Sequence, residues 1–412
     1  MNAGISPQEV RTALLSRREL ALIDARSEAR FALAHPLFAA QLPVDRVELE
    51  APVRLPRRDT PLALYDDGAG EAAQAKELYH RLGYTSVELL AGGLAGWRDA
   101  GFELFQDVNS YSKAFGELVE ARRHTPSLSA DEVSALIQER ADIAIVDARR
   151  FDEYTTMSIP TGTSVPGAEL VLRVPALAPS EDTLVIVNCA GRTRSIIGTQ
   201  SLINAGLPNR IAALRNGTIG WNLAGKKLDT GRNQRAPDIT SKLVVEGRRR
   251  AREVAYRAGV RHVGFAELAA LSADEARTLY RFDVRTPEEY HAGHLPEFRS
   301  APGGQLVQET DFFAPVRGAR IVLADDLGAR ADMTASWLAQ MSWEVYVLEG
   351  AFEQRTVTDE PRPLPPRSRE GRYKRPYEGT DAPPAATQAY LDWEYGLVEQ
   401  LRRDDTHGFF VI

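Results

Sequence analysis

The sequence predicts an α/β protein: three tandem doubly wound parallel-sheet domains followed by a C-terminal helical extension. Two observations carry this. An apolar run closing on Asp-x-Arg occurs three times, at Asp24, Asp147 and Asp283. A second apolar run ends in a turn-forming loop 43, 42 and 43 residues later, at Asp67, Cys189 and Asp326. Near-equal spacing in three copies marks an internal repeat. Apolar runs that alternate with helix-period stretches mark a parallel sheet with crossover helices.

Each unit reads in the same order. A helix comes first, "SPQEVRTALLS", "SADEVSALIQE" or "GFAELAALS". The first two open on Ser6 and Ser129 with Glu9 and Glu132 three residues on, the pattern of a capping box. The strand ending in Asp-x-Arg follows, then the second strand and its loop, "LYDDGAG", "IVNCAG" or "LADDLG". A further helix and strand lead to a Gly-containing turn, with Trp97 and Trp221 as core residues in the first two units. The expected domains span residues 1–108, 124–232 and 258–356, with a Pro-rich linker and helix over 357–412.

The joins are polar and helix-compatible. "EGRRRAREVAYR" in the second reads as a solvated helix face rather than a nucleic-acid patch. "DEPRPLPPRSREGRYKRPYEG" reads as a spacer. "AATQAYLDWEYGLVEQLRR" reads as one amphipathic helix, docked on the body or on another subunit, which makes it a candidate contact of a homo-oligomer. The tail "GFFVI" reads as packed.

Composition narrows the function. A 43% apolar, 26% charged chain is that of a folded globular protein. A net charge of −7 argues against a nucleic-acid partner, so any anion site must be a local cluster of cations. No run approaches the roughly 18 apolar residues of a membrane span. The opening twenty residues lack a signal-peptide pattern, and one cysteine cannot form an internal disulfide, so the expected location is the reducing cytoplasm. Seven scattered histidines have no cysteine partners at zinc spacing, so neither metal nor organic cofactor is expected.

The lone cysteine lies in "VNCAGRTRS", residues 187–195. A parallel sheet puts its functional edge beyond the carboxyl ends of the strands, which brings Asp147 and Cys189 together. A lone thiol is ordinarily a small buried hydrophobe. This one stands between a strand and a helix, beside Gly191, Arg192 and Arg194, where cations are costly around a merely structural thiol. Loop amides, the positive end of the following helix and the two arginines are all expected to lower its pKa.

The Asp-x-Arg strand end, the Cys loop and the closing Gly turn, repeated in order, resemble the rhodanese family of sulfurtransferases. The resemblance implies covalent catalysis by a Cys189 persulfide, with Ala190, Gly191, Arg192, Thr193, Arg194 and Ser195 forming the substrate loop and Asp147 and Arg149 in support. It implies a small anionic sulfur donor, thiosulfate ahead of mercaptopyruvate, and cyanide or a thiol as acceptor. Asp67 and Asp326 stand where the family has its nucleophile, which marks the outer units as inactive copies. A persulfide carrier or scaffold is the alternative. A Cys-loop phosphatase fits less well, because only four residues separate Cys189 from Arg194. Of the other charged residues, Arg149 is expected to pair with Glu153, and Asp66, Asp67, Asp325 and Asp326 to be solvated loop carboxylates. His294 is expected to be a structural or surface histidine.

Overall fold

Strand-forming apolar runs buried on both faces dictate parallel sheets covered by helices. The computed structural model of the chain, which describes residues 4–353, 356–358, 371–376, 378 and 382–412, contains three of them. The first holds β1 (Ala21–Asp24), β2 (Ala39–Gln41), β3 (Leu62–Tyr65) and β4 (Val87–Leu89) in the order β2-β1-β3-β4. The second holds β5 (Ser127–Leu128), β6 (Ile143–Asp147), β7 (Thr163–Ser164), β8 (Leu184–Asn188) and β9 (Ile211–Leu214), ordered β5-β9-β8-β6-β7. The third holds β10 (Arg261–Val263), β11 (Leu279–Asp283), β12 (Arg299–Ser300), β13 (Arg320–Ala324) and β14 (Glu344–Leu348), ordered β10-β14-β13-β11-β12. The three orders are the same, except that in the first sheet a single bridge from Ile5 to Leu90 replaces the outer strand. Both expected capping boxes are present, at Ser6/Glu9 and Ser129/Glu132.

The first join differs from its expected character. Helix Ser110–Arg123 is buried from Ser110 to Val119 and packs against the helix after the Cys loop and both C-terminal helices. It is a central strut rather than a solvated linker. Gly116 makes this approach possible, because a Cβ there would lie 2.9 Å from Thr193 Cγ2.

The basic helix Ser241–Arg257 keeps Arg248, Arg249, Arg252 and Arg257 exposed, the solvated face expected of it, and also serves as a contact. Its arginines clasp two modules. Arg250 and Arg257 donate to the carbonyls of Ala205, Gly206 and Asn204 at the end of a second-module helix. Arg248 donates to Leu327 O, and Arg252 to Asp332 and Glu349, in the third. Helix carbonyls left open at a C-terminus are natural partners for arginine.

The Pro-rich part of the predicted spacer, 359–370, lies outside the described residues. The single predicted C-terminal helix is two, Pro384–Tyr395 and Leu397–Asp404. Gly396 is the break, and its amide donates back three residues to Trp393 O rather than four. The buried stripe still continues through Tyr390, Leu391, Glu394, Leu397 and Leu401 and docks on the chain's own body. The tail follows suit, with Phe409, Val411 and Ile412 packed on the main core.

Candidate functional site

The register of β6 against β8 pairs Asp147 with Asn188, so the loop holding Cys189 starts beside Asp147. Asn188 Nδ2 donates to Asp147 Oδ2 at 2.9 Å. Asp147 also accepts from the Arg149 amide and from its guanidinium at 2.8 and 2.7 Å, and Arg149 reaches on to Met157 O. These two residues therefore tie the end of β6 to the loop. The carboxylate partner of Arg149 is Asp147 and not the expected Glu153, since a two-residue spacing lets the guanidinium fold back on its own strand end.

After β8 the chain turns through Cys189 to Arg192 and enters helix Thr193–Asn204, whose N-terminus faces the loop. The amides of Ala190, Gly191 and Arg192 have no protein acceptor among the described residues. They form the concave donor set expected of an anion nest. The loop's carbonyls are held from the other side, as Cys189 O and Ala190 O accept from the amides of Thr218 and Ile219 at 3.0 Å. Gly217 makes that possible, with φ of +54° and a Cβ position only 2.3 Å from Cys189 O. This explains the recurring Gly turn, since Gly93 approaches Asp66 O in the same way in the first module.

Cys189 is 2% exposed. Its thiol donates to Ser195 Oγ at 3.5 Å, and Ser195 donates in turn to Arg192 O. Burial pushes the thiol pKa up, against the Arg194 charge and the Ser195 contacts. The expected lowering is thus outweighed in this closed state, because desolvation acts on the thiolate before any anion has entered.

The two loop arginines part company. Arg192 is 3% exposed and held by partners within the chain. It makes a bidentate pair with Glu117 at 2.7 and 2.8 Å, reaches Glu120 and Asn216, and stacks on Tyr395. The expected place of its side chain in substrate binding is corrected: the guanidinium locks the loop to the central strut. Arg194 makes a bidentate pair with Glu153, both bonds 2.8 Å. Burial would raise Glu153, but Arg194, with Arg150 and Arg149, holds it down at about 2.

Two adjacent cavities share Ala190, Arg194 and Gln308 in their walls. The inner one, of about 20 Å³, is lined by Cys189 and closed by Lys113, Gln308, Tyr390 and Glu394. The outer chamber, of about 400 Å³, carries Arg149, Arg150, Arg194, Arg372 and Arg375. Residues from the strut, the third module and the C-terminal helix thus complete a loop that belongs to the second module. Glu394 and Lys113 were missed in the sequence. An acid on the apolar stripe of the last helices was the one available signal.

In the outer modules the corresponding loops are filled. Arg30 binds Asp67, and Arg330 binds Asp326 at 2.6 Å. Asp66 and Asp325 are buried and accept loop amides, from Gly68 and Ala72 and from Leu327, Ala329 and Arg330. The expectation of solvated carboxylates holds for Asp67 and Asp326, which are exposed as well as paired, and is corrected for Asp66 and Asp325, which are buried loop caps, Asp325 also pairing with Arg330. Strand register also corrects the expected match to the nucleophile: Asp66 and Asp325, one residue before Asp67 and Asp326, stand level with Cys189. His294 is buried and stacked on Tyr290, a structural residue as expected.

Comparison with known proteins settles the family. The rhodanese-like domain model matches residues 6–100, 129–224 and 265–356. The chain belongs to the rhodanese family. Among solved rhodaneses, the crystal structure of thiosulfate sulfurtransferase from Pseudomonas aeruginosa superimposes with a TM-score of 0.95, at 50% identity over 99% of both chains. A thiosulfate sulfurtransferase of Azotobacter vinelandii is 28% identical over 212 residues, 47% of this chain and 77% of that one.

Proposed function

We propose that this rhodanese is a thiosulfate sulfurtransferase that works through a Cys189 persulfide. The observation that carries the reading is the Cys189 loop. Its Ala190, Gly191 and Arg192 amides are without protein acceptors among the described residues, a helix N-terminus faces it, and Arg194 stands at its mouth, in a chain matched over 99% of its length by a protein of that name. Cys189 thiolate attacks the outer sulfur of thiosulfate. The S–S bond breaks and its electrons leave with sulfite, so Cys189 keeps one sulfur as a persulfide. Cyanide or a thiolate then takes that sulfur and restores the Cys189 thiolate. The loop amides stabilise the negative charge carried in turn by donor, persulfide and leaving sulfite, without reorganising at the moment of reaction.

By strand register the outer modules carry Asp66 and Asp325, and no thiol, level with Cys189, so their contribution is to build and close the central site. The test is intact mass after incubation with thiosulfate, followed by addition of cyanide. The expected result is a gain of one sulfur atom, lost again with release of thiocyanate. A stable adduct with no turnover would favour a persulfide carrier instead. No adduct would remove both readings.

A further inference from the structure

Glu394 is the carboxyl group lining the Cys189 cavity, and the transfer scheme leaves it without a task. It comes from the C-terminal helix, about two hundred residues from the loop, and is 0% exposed. Its Oε1 accepts from the Tyr390 hydroxyl at 2.6 Å. Its Oε2 has no hydrogen-bond partner among the described residues. That bare oxygen lies 3.5 Å from where a Cβ on Gly191 would be, over the middle of the loop. An apolar residue would dock the helix without the cost of a buried, half-satisfied carboxyl.

The groups around it are of mixed sign. Lys113 and Glu117 face it from the strut, Arg192 from the loop and Tyr390 from its own helix. Lys113 is engaged by Asp107 at 2.8 Å and Arg192 by Glu117, so neither cation is committed to Glu394. Burial dominates, and with Glu117 it outweighs Lys113, Tyr390 and Arg192 to leave the carboxyl titrating at about 7. The shared cavity of about 20 Å³ has room for about one water. Charging a thiolate and a carboxylate together in one small buried cavity is penalised.

We propose that Glu394 is the proton acceptor and donor of Cys189, and this rests on the sulfurtransferase reading above. As thiosulfate enters, the Cys189 S–H proton passes to the Glu394 carboxylate, directly or through one water. The thiolate then attacks, the donor's S–S bond breaks, and sulfite departs with that bond's electron pair. The persulfide anion is left beside a neutral carboxylic acid that does not repel it. When an acceptor anion removes the outer sulfur, the Cys189 thiolate takes its proton back from Glu394. The charge of the cavity's own two acids stays at minus one throughout, which is what lets a dianion be used in so closed a site.

Two measurements on the full chain test this. The first is the pH dependence of Cys189 alkylation by iodoacetamide, which reads one site because the chain has one thiol. The wild type is expected to show two steps, the lower near neutrality, and Glu394→Gln one. The second is kcat/KM for thiosulfate against pH. Glu394→Gln is expected to lower it about a hundredfold at neutral pH, the usual scale for a positioned acid–base group, and to abolish the limb near neutrality. Glu394→Asp, which keeps the acid, should retain a displaced limb and recover part of the loss. An unchanged limb in Glu394→Gln, or a loss equal at every pH with the limb intact, would overturn the proposal. Two alkylation steps in a wild type without turnover would overturn the sulfurtransferase reading and leave the shared proton standing.

Discussion

At the scale of residues, the sharpest contrast is between two arginines two positions apart. Arg194→Ala should weaken thiosulfate use by roughly tenfold or more while leaving the fold intact, since a charge-assisted contact to an anion is worth roughly 1.5–3 kcal/mol. Arg192→Ala should act on stability instead. It strands Glu117, whose carboxyl burial already pushes upward. Breaking a buried pair of this kind costs roughly 3–5 kcal/mol, visible as a drop in Tm before any donor is added. If both variants lost only turnover at unchanged Tm, the division of labour drawn here would fail. Glu394 adds a pH signature. A carboxyl held at about 7 in the fold and titrating near 4.5 when unfolded binds its proton more tightly in the native state. Stability is then fully present below pH about 4.5 and declines as pH rises through about 7, by roughly 3 kcal/mol at most. Denaturant titrations at pH 5 and 8 should show that decline in the wild type and a flatter profile in Glu394→Gln. What was legible here was local. The Asp147–Cys189 association follows from strand spacing, and the loop's chemistry from one thiol beside Gly191 and Arg194. The fate of Arg192 was not legible, because its partner Glu117 lies 75 residues away on a stretch whose charges suggested solvent.

At the scale of elements, the Gly turn that ends each unit is the part most exposed to a single change. Gly217 combines a left-handed backbone with a Cβ position inside contact distance of Cys189 O. Gly217→Ala should therefore cost about 1–3 kcal/mol of strain. It should also shift the loop enough to reduce turnover well beyond what its effect on Tm would explain. Crystallography of the variant would show the displacement, and unchanged loop coordinates would refute it. The same scale shows what the charge pattern of the joins left out. The helices Ser110–Arg123 and Ser241–Arg257 carry enough charge to look solvated, yet their charged groups meet carboxylates and helix-end carbonyls of neighbouring modules. Charge pattern alone does not distinguish a solvated helix from one whose charges are answered by another module. The strands, by contrast, were legible because an apolar run of four or five residues buried on both faces leaves little else to become.

At the scale of the whole molecule, three copies of one fold serve a single site. Residues 124–232 alone contain the loop, but not Lys113, Gln308, Tyr390 or Glu394 that close its cavity. A fragment of that span should turn over thiosulfate at less than a tenth of the full chain's rate, with Cys189 alkylated faster because its cover is gone. Asp67→Ala and Asp326→Ala, far from the sulfur, should leave turnover within about twofold. Arg330→Ala is different. Arg330 is fully buried and bridges Glu169 of the second module to Asp325, Asp326 and Glu289 of the third. Its loss should lower Tm markedly by leaving several carboxylates without their cation, and a variant with wild-type Tm would contradict that role.

The cover over Cys189 has a consequence for oxidative wear. Thiolates react with peroxide to form sulfenic acid, which most proteins rescue by condensing it with a neighbouring thiol. This chain has no second thiol to offer. A Cys189 sulfenate could be recovered only by a thiol arriving from outside, and further oxidation would end its working life. Keeping the sulfur 2% exposed, with burial pushing its pKa up, therefore does for durability what a resolving cysteine does elsewhere.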